Sequence, residues 1–128
     1  MEAVRQMVGT KPVLGVCLGM QALGLHFGAK LYHAGPPQHG VARDLHVVFE
    51  TSLLFHGLSS SLKVGLYHSW AVRKEDLGPA CVATSTEGIP MAAEWPEQKA
   101  YAVQFHPESV LTPEGDRILA NWVAVAKG

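Results

Sequence analysis

One cysteine stands between two glycines, directly after a short apolar run, in the stretch from Pro12 to Gln21. The run predicts a buried strand, and the apolar residues that follow it as far as Gly28 predict a helix. A strand, a sharp turn carrying a nucleophile and a helix make a nucleophile elbow, and glycines on both sides of Cys17 would avoid collisions in the turn. Because free N–H groups and the helix dipole favour a thiolate there, we expect a lowered pKa for Cys17. A buried structural cysteine beside a glycine turn is the alternative.

A thiol nucleophile needs a base, and the chain has seven histidines. His106 differs from the others because it directly follows a predicted apolar strand at 101–105. Active sites of open α/β sheets form at the carboxyl ends of strands, where Cys17 is also expected. Glu108 lies two residues further on, so in an extended segment it points the same way as His106 and can fix the imidazole tautomer. The pattern predicts a Cys17–His106–Glu108 triad, and a surface pair in a loop is the alternative for His106 and Glu108.

The composition limits the other possibilities. With 128 residues and 48% hydrophobic composition, the chain is one domain at most and can bury a core. The net charge of −1 predicts no nucleic-acid or anionic-membrane partner. Its two cysteines, Cys17 and Cys81, lie in or beside apolar runs, which indicates a reducing compartment. No apolar run approaches the ~20 residues of a membrane span and no signal-peptide pattern is visible, so we expect a cytoplasmic protein.

Hydrophobic periodicity predicts an α/β chain. Residues 1–9 are expected to end a helix, and 52–57 to form a helical turn. Further strands are predicted at 29–33, 45–49, 62–66, 81–86 and 91–95, and the strand at 62–66 is expected to run on into 67–72. The last element is predicted to be a helix with Thr112 as N-cap and Pro113 at its first position. Its apolar stripe is expected to contain Ile118, Leu119, Trp122, Val123 and Ala126.

Three segments carry a resemblance to a known family: PVLGVCLGMQALG, YHSWAV and AYAVQFHPESVLTPEGDRILANWV. Together they resemble the class I glutamine amidotransferases, and within them the glutaminase components of anthranilate synthase and aminodeoxychorismate synthase. The resemblance covers essentially the whole chain. It implies that residues 1–128 are the C-terminal portion of a type 1 glutamine amidotransferase domain. The implied fold is flavodoxin-like α/β, with an N-terminally truncated mixed or parallel sheet and flanking helices.

The resemblance also implies roles for the triad. Cys17 would attack the side-chain amide of L-glutamine. His106 would protonate the departing ammonia and then activate water to hydrolyse the thioester, while Glu108 orients the imidazole. The backbone N–H of Leu18, directly after the nucleophile, would donate one hydrogen bond to the oxyanion.

By the same resemblance, Gln21 and the backbones of Ser69 and Trp70 contact the glutamine substrate. An exposed helix residue is the alternative for Gln21, and a strand end with a buried indole is a compatible description of Ser69 and Trp70. The implied partner is a chorismate-binding synthase subunit that receives the ammonia. No metal and no cofactor are expected.

The family has upstream strands and a Gly-Pro-Gly loop that donates the second oxyanion hydrogen bond, and the 128-residue sequence shows neither. Two alternatives therefore remain: a non-catalytic remnant that keeps the fold and the partner surface, or a cysteine hydrolase of another amide. For the isolated chain we expect marginal stability or self-association, with glutaminase activity near background.

Overall fold

The computed structural model describes residues 2–35, 40–48, 52–68 and 70–127. Within these residues, helices and strands alternate only at the start of the chain, and most of the later strands follow one another without an α-helix between them. The helices are α1 (Glu2–Met7), α2 (Leu18–His26), α3 (Lys74–Leu77) and α4 (Gly115–Lys127). The strands are β1 (Val13–Val16), β2 (Leu31–His33), β3 (Val41–Val47), β4 (Ser61–Leu66), β5 (Trp70–Val72), β6 (Cys81–Ser85), β7 (Pro90–Trp95) and β8 (Ala100–Val103).

The main sheet has six strands in the order β1-β8-β7-β6-β3-β4, and β2 pairs with β5 in a separate two-stranded sheet. β1 and β8 are parallel, whereas the other pairs are antiparallel. The register pairs Val16 with Val103, so β1 and β8 end side by side. This pairing brings Cys17, which follows β1, near His106, which follows β8. The predicted α/β fold with a mixed sheet and flanking helices is confirmed.

The buried side chains form two clusters, because alternate residues of a strand point to opposite faces of the sheet. Tyr101 and Val103 of β8 belong to the cluster that includes Ile118 of α4. Ala100 and Ala102 belong to the cluster that includes Met20 and Leu23 of α2. The helices therefore cover the two faces. No described helix is long and apolar enough to cross a membrane.

Two strand predictions need correction. β3 begins at Val41 rather than Leu45, because its exposed first half pairs with β4, in a register of Val41 with Leu66. Phe49, the predicted end of that strand, lies outside the described residues. β4 also does not continue into β5, since β5 leaves the main sheet and pairs with β2.

The start of α4 was predicted wrongly. The helix begins at Gly115, so Thr112 and Pro113 precede it and Thr112 is not its N-cap. The Thr112 hydroxyl is instead bonded to the backbone elsewhere, as described below. The apolar stripe is also shifted, because Val125 packs on the core while Val123 is exposed.

Candidate active site

Cys17 forms the turn between β1 and α2, with a backbone φ of 57° and ψ of −103°. Positive φ is uncommon outside glycine and costs of order 1–3 kcal/mol, so surrounding bonds must hold it. The Cys17 N–H donates to the Val103 carbonyl at 2.8 Å, and the Cys17 carbonyl accepts from the Met20 N–H at 3.1 Å. The backbone therefore makes the sharp strand-to-helix turn that the sequence predicts.

The two glycines beside this turn differ in importance. A Cβ at Gly15 would lie 2.6 Å from the carbonyl carbon and oxygen of Gly19 and 2.8 Å from Leu23 Cδ1. At Gly19, by contrast, a Cβ would have no heavy atom within 4 Å apart from its chain neighbours and the backbone of its own helix. Close packing of α2 on β1 therefore requires glycine at position 15 only, and the expected collision on the other side of Cys17 is wrong.

Cys17 is 9% exposed. Burial raises the pKa of this thiol, and the nearby charge of Glu108 also raises it. The Leu18 N–H and the Gln104 side chain lower the pKa, but burial outweighs them. Our expectation of a lowered Cys17 pKa is therefore wrong, because it considered the helix N-terminus and not the desolvation of the thiolate.

His106 and Glu108 form a hydrogen-bonded pair. Nδ1 of His106 lies 2.7 Å from Oε2 of Glu108. A carboxylate can only accept, so Nδ1 carries the proton and Nε2 is left as the basic nitrogen of the neutral ring. Burial raises the pKa of Glu108, but hydrogen bonds from its own N–H and from His106 lower it by more. The net pKa of Glu108 is therefore below its usual range.

Backbone hydrogen bonds fix the segment that carries His106. The His106 N–H donates to the Gly65 carbonyl at 3.2 Å. The Thr112 hydroxyl donates to the His106 carbonyl at 2.9 Å and accepts from the Gly65 N–H at 2.8 Å. Thr112 thus ties the end of β4 to His106, three residues past the end of β8, which explains why it does not cap α4.

Gln21 projects from α2 towards β5. Its Nε2 donates to the Trp70 carbonyl at 2.9 Å, and the same carbonyl lies 2.9 Å from Nδ1 of His68. Burial lowers the pKa of His68, although the bond to Trp70 raises it. Gln21 is 7% exposed, so the alternative of an exposed helix residue is wrong. Trp70 is 49% exposed, so the expected buried indole is wrong as well. Ser69 lies outside the described residues.

A cavity of about 450 Å³ collects most of the predicted site residues. Its lining consists of Val16, Cys17, Leu18, Gln21, Tyr67, His68, Trp70 and His106. Glu108 does not line this cavity and lies on an adjoining one of about 420 Å³, which shares Tyr67 and His106 with it. Cys17 and His106 therefore line the same cavity, but within the described residues no hydrogen bond joins their side chains.

Sequence reasoning missed four residues of this region: Tyr67, His68, Gln104 and Thr112. The Tyr67 ring stands edge-on to His106, with centroids 4.9 Å apart, and its hydroxyl lies 3.1 Å from the Ser109 hydroxyl. Gln104 gave the clearest signal, because it is a polar residue inside a predicted buried strand. Such a residue needs a hydrogen-bonding partner.

The chain belongs to the class I glutamine amidotransferases. The sequence model of that family, described as "Glutamine amidotransferase class-I", matches residues 1–126. Two relatives indicate the branch. A Haemophilus influenzae protein assigned as anthranilate synthase component II is 43% identical over 118 residues, which are 90% of this chain and 60% of that protein. Aminodeoxychorismate synthase component 2 of Escherichia coli K12 is 36% identical over 126 residues, 96% of this chain and 66% of that protein.

The solved structures agree with the fold. A Thermoplasma acidophilum protein assigned to GMP synthase superposes with a TM-score of 0.80 at 30% identity, covering 91% of this chain and 57% of that one. This chain therefore spans between 57% and 66% of the length of these three relatives.

Proposed function

We propose that this chain carries the glutaminase site of a chorismate-using synthase of the anthranilate or aminodeoxychorismate type. One observation carries the proposal: Cys17 and the Glu108-bonded His106 open onto the same cavity of about 450 Å³. A cavity of this size is large enough for a single amino acid such as L-glutamine. The relatives' names, each a second component of such a synthase, support the branch. The partner, a chorismate-binding subunit that uses the ammonia, is what the resemblance implies.

The chemistry begins with the thiol. Cys17 Sγ attacks the amide carbon of glutamine, and its proton passes to Nε2 of His106. The imidazolium then protonates the departing nitrogen, which releases ammonia and leaves a thioester on Cys17. His106 next removes a proton from water, which hydrolyses the thioester to glutamate. Because burial raises the Cys17 pKa, removal of the thiol proton by His106 must accompany the attack.

Three residues around the thiol suit the substrate. The Leu18 N–H lies close enough to Cys17 Sγ to lower its pKa, and this is where an oxyanion would form. Gln21 donates its amide protons to the Trp70 carbonyl and to Gln104, so its Oε1 is the end left to accept from the substrate's ammonium group. Trp70 lines the cavity, and the resemblance implies that its backbone contacts the substrate.

Apolar side chains that line the cavity are exposed, and this supports the proposal that a partner subunit binds over the cavity. Leu18 is 74% exposed, Trp70 49% and Tyr67 41%. Apolar and aromatic side chains exposed beside a site are typical of interfaces. A synthase subunit seated there would exclude water from the ammonia that the site releases.

The test measures ammonia and glutamate released from glutamine, with and without a purified chorismate-using subunit. We expect release that requires this partner and that Cys17→Ser abolishes. Cys81→Ser is the matched control, because Cys81 lies in β6 with its Sγ 3.6 Å from the Ala83 carbonyl, outside the cavity lining. A glutamine-like electrophile should also label Cys17 before Cys81.

The same assay addresses the two alternatives. A non-catalytic role is the second candidate, supported by the raised pKa of the Cys17 thiol. It predicts binding of the synthase subunit with no release of ammonia and no labelling of Cys17. A cysteine hydrolase of another amide would label at Cys17 and release ammonia from that amide but not from glutamine.

A further inference from the structure

Gln104 follows β8 directly and is 0% exposed. Its backbone N–H donates to the Met91 carbonyl at 2.8 Å, which anchors it to the neighbouring strand β7. Its side-chain amide lies between two residues of the site. Nε2 is 3.7 Å from Cys17 Sγ, and Oε1 is 3.5 Å from Nε2 of Gln21. A fully buried amide with both ends engaged is held in one orientation.

The Trp70 carbonyl determines how the side-chain amides of Gln21 and Gln104 are oriented. The Trp70 carbonyl can only accept, so the Gln21 amide must face it with Nε2. The second proton of the same nitrogen is then available to Gln104 Oε1. That contact fixes the orientation of the Gln104 amide and leaves its NH₂ group facing the sulfur. The orientation of a donor at Cys17 therefore follows from a carbonyl in β5.

We propose that Gln104 is a positioning residue for the Cys17 nucleophile, and that Gln21 and the Trp70 carbonyl hold its amide with the N–H groups directed at Sγ. This role concerns the reactivity of the thiol towards any electrophile. It goes beyond the proposed glutaminase function and does not depend on the identity of the substrate.

The physical effect is a preference for the thiolate. A donor aimed at sulfur stabilises the charged form more than the neutral thiol. Burial has the opposite effect at this site, so the donor offsets part of the desolvation of Cys17, and the Gln104 hydrogen bond accordingly lowers the thiol pKa. The bond also restricts Sγ to one direction, which favours productive attack.

The experiment follows alkylation of each thiol by iodoacetamide across about pH 6 to 10, using the whole 128-residue chain and peptide mapping. The variants are Gln104→Met, which keeps the length of the side chain without its donor, and Gln21→Met, which removes the group that orients Gln104. Gln6→Met, on the exposed surface of α1, is the matched control. Cys81, buried in β6, reports on folding because it should alkylate slowly in a folded chain.

In Gln104→Met we expect the midpoint of Cys17 alkylation to move to higher pH and the rate at neutral pH to fall roughly tenfold. Gln21→Met should move the midpoint the same way by a smaller amount, and Gln6→Met should leave it unchanged. An unchanged midpoint in folded Gln104→Met would overturn the proposal. If that variant exposes Cys81, the Gln21→Met profile decides: a higher midpoint supports the proposal and an unchanged one refutes it. None of these outcomes depends on glutamine turnover.

Discussion

Nδ1 of His106 and Oε2 of Glu108 lie 2.7 Å apart, although the Glu108 side chain is 66% exposed. The bond therefore forms at the edge of the site rather than in a dry interior, where a charged pair would interact more strongly. Its main consequence is the tautomer, because a proton held on Nδ1 leaves Nε2 free to accept one. We therefore propose that Glu108 acts on the chemistry through His106 and not by touching the thiol.

We predict that Glu108→Gln lowers turnover much less than Cys17→Ser or His106→Ala. An orienting carboxylate makes and breaks no bond of the amide, and in a comparable hydrolase its removal costs roughly 10²-fold less than removal of the nucleophile. The measurement is kcat for glutamine hydrolysis in the presence of the synthase subunit. A Glu108→Gln variant as inactive as Cys17→Ser would require a direct role for the carboxylate.

The sequence predicts the parts of the site that depend on local order. Cys17 and His106 each follow an apolar strand, so their place on one cavity follows from the pairing of β1 with β8. Gln104 and Thr112 could not be assigned in the same way. Gln104 bonds to a sulfur 87 positions away, and Thr112 bonds to a backbone N–H 47 positions away. Such bonds depend on tertiary packing, which outweighed the local preference of Thr112 for a helix cap.

The direction of the Cys17 pKa shift also could not be predicted from the sequence. The expectation of an activated thiolate used only the position of Cys17 before a helix, which the sequence reveals. How deeply the sulfur is buried depends on the packing of α2 and β8 around it, and this desolvation determines the direction of the shift.

Gly15 and Gly19 provide a matched pair of substitutions around the nucleophile. We predict that Gly15→Ala destabilises the fold by about 1–3 kcal/mol, because its Cβ would lie 2.6 Å from the Gly19 backbone. Gly19→Ala should instead be neutral or stabilise α2 by about 0.5–1 kcal/mol, since that Cβ meets nothing within 4 Å. Urea unfolding of both variants measures the difference. Equal losses of stability would show that α2 does not pack on Gly15 as described.

Thr112 provides a test of how His106 is positioned. Thr112→Val keeps the shape of the side chain but removes the hydroxyl that accepts from the buried Gly65 N–H. The His106 carbonyl loses the same hydroxyl and keeps only the bond from the Ser109 N–H. We expect a loss of about 1–3 kcal/mol in the free energy of unfolding, and a lower kcat from displacement of His106. Thr10→Val is the control, because the Thr10 hydroxyl bonds at an exposed site. If Thr112→Val matched Thr10→Val in stability and kcat, the link between β4 and His106 would have no energetic importance.

The last prediction concerns the free edge of β1. Among the described strands, β1 pairs with β8 alone. The N–H groups of Val13 and Cys17 donate to the carbonyls of Lys99, just before β8, and Val103, its last residue. By alternation, the backbone groups of Leu14 and Val16 face the other side. An edge of this kind can pair with another chain.

We predict that the 128-residue chain self-associates as its concentration rises, and that the Leu14 and Val16 amides exchange hydrogen faster in dilute than in concentrated solution. Light scattering and hydrogen exchange measure both effects, and a monomer at every concentration with those two amides protected would contradict the prediction.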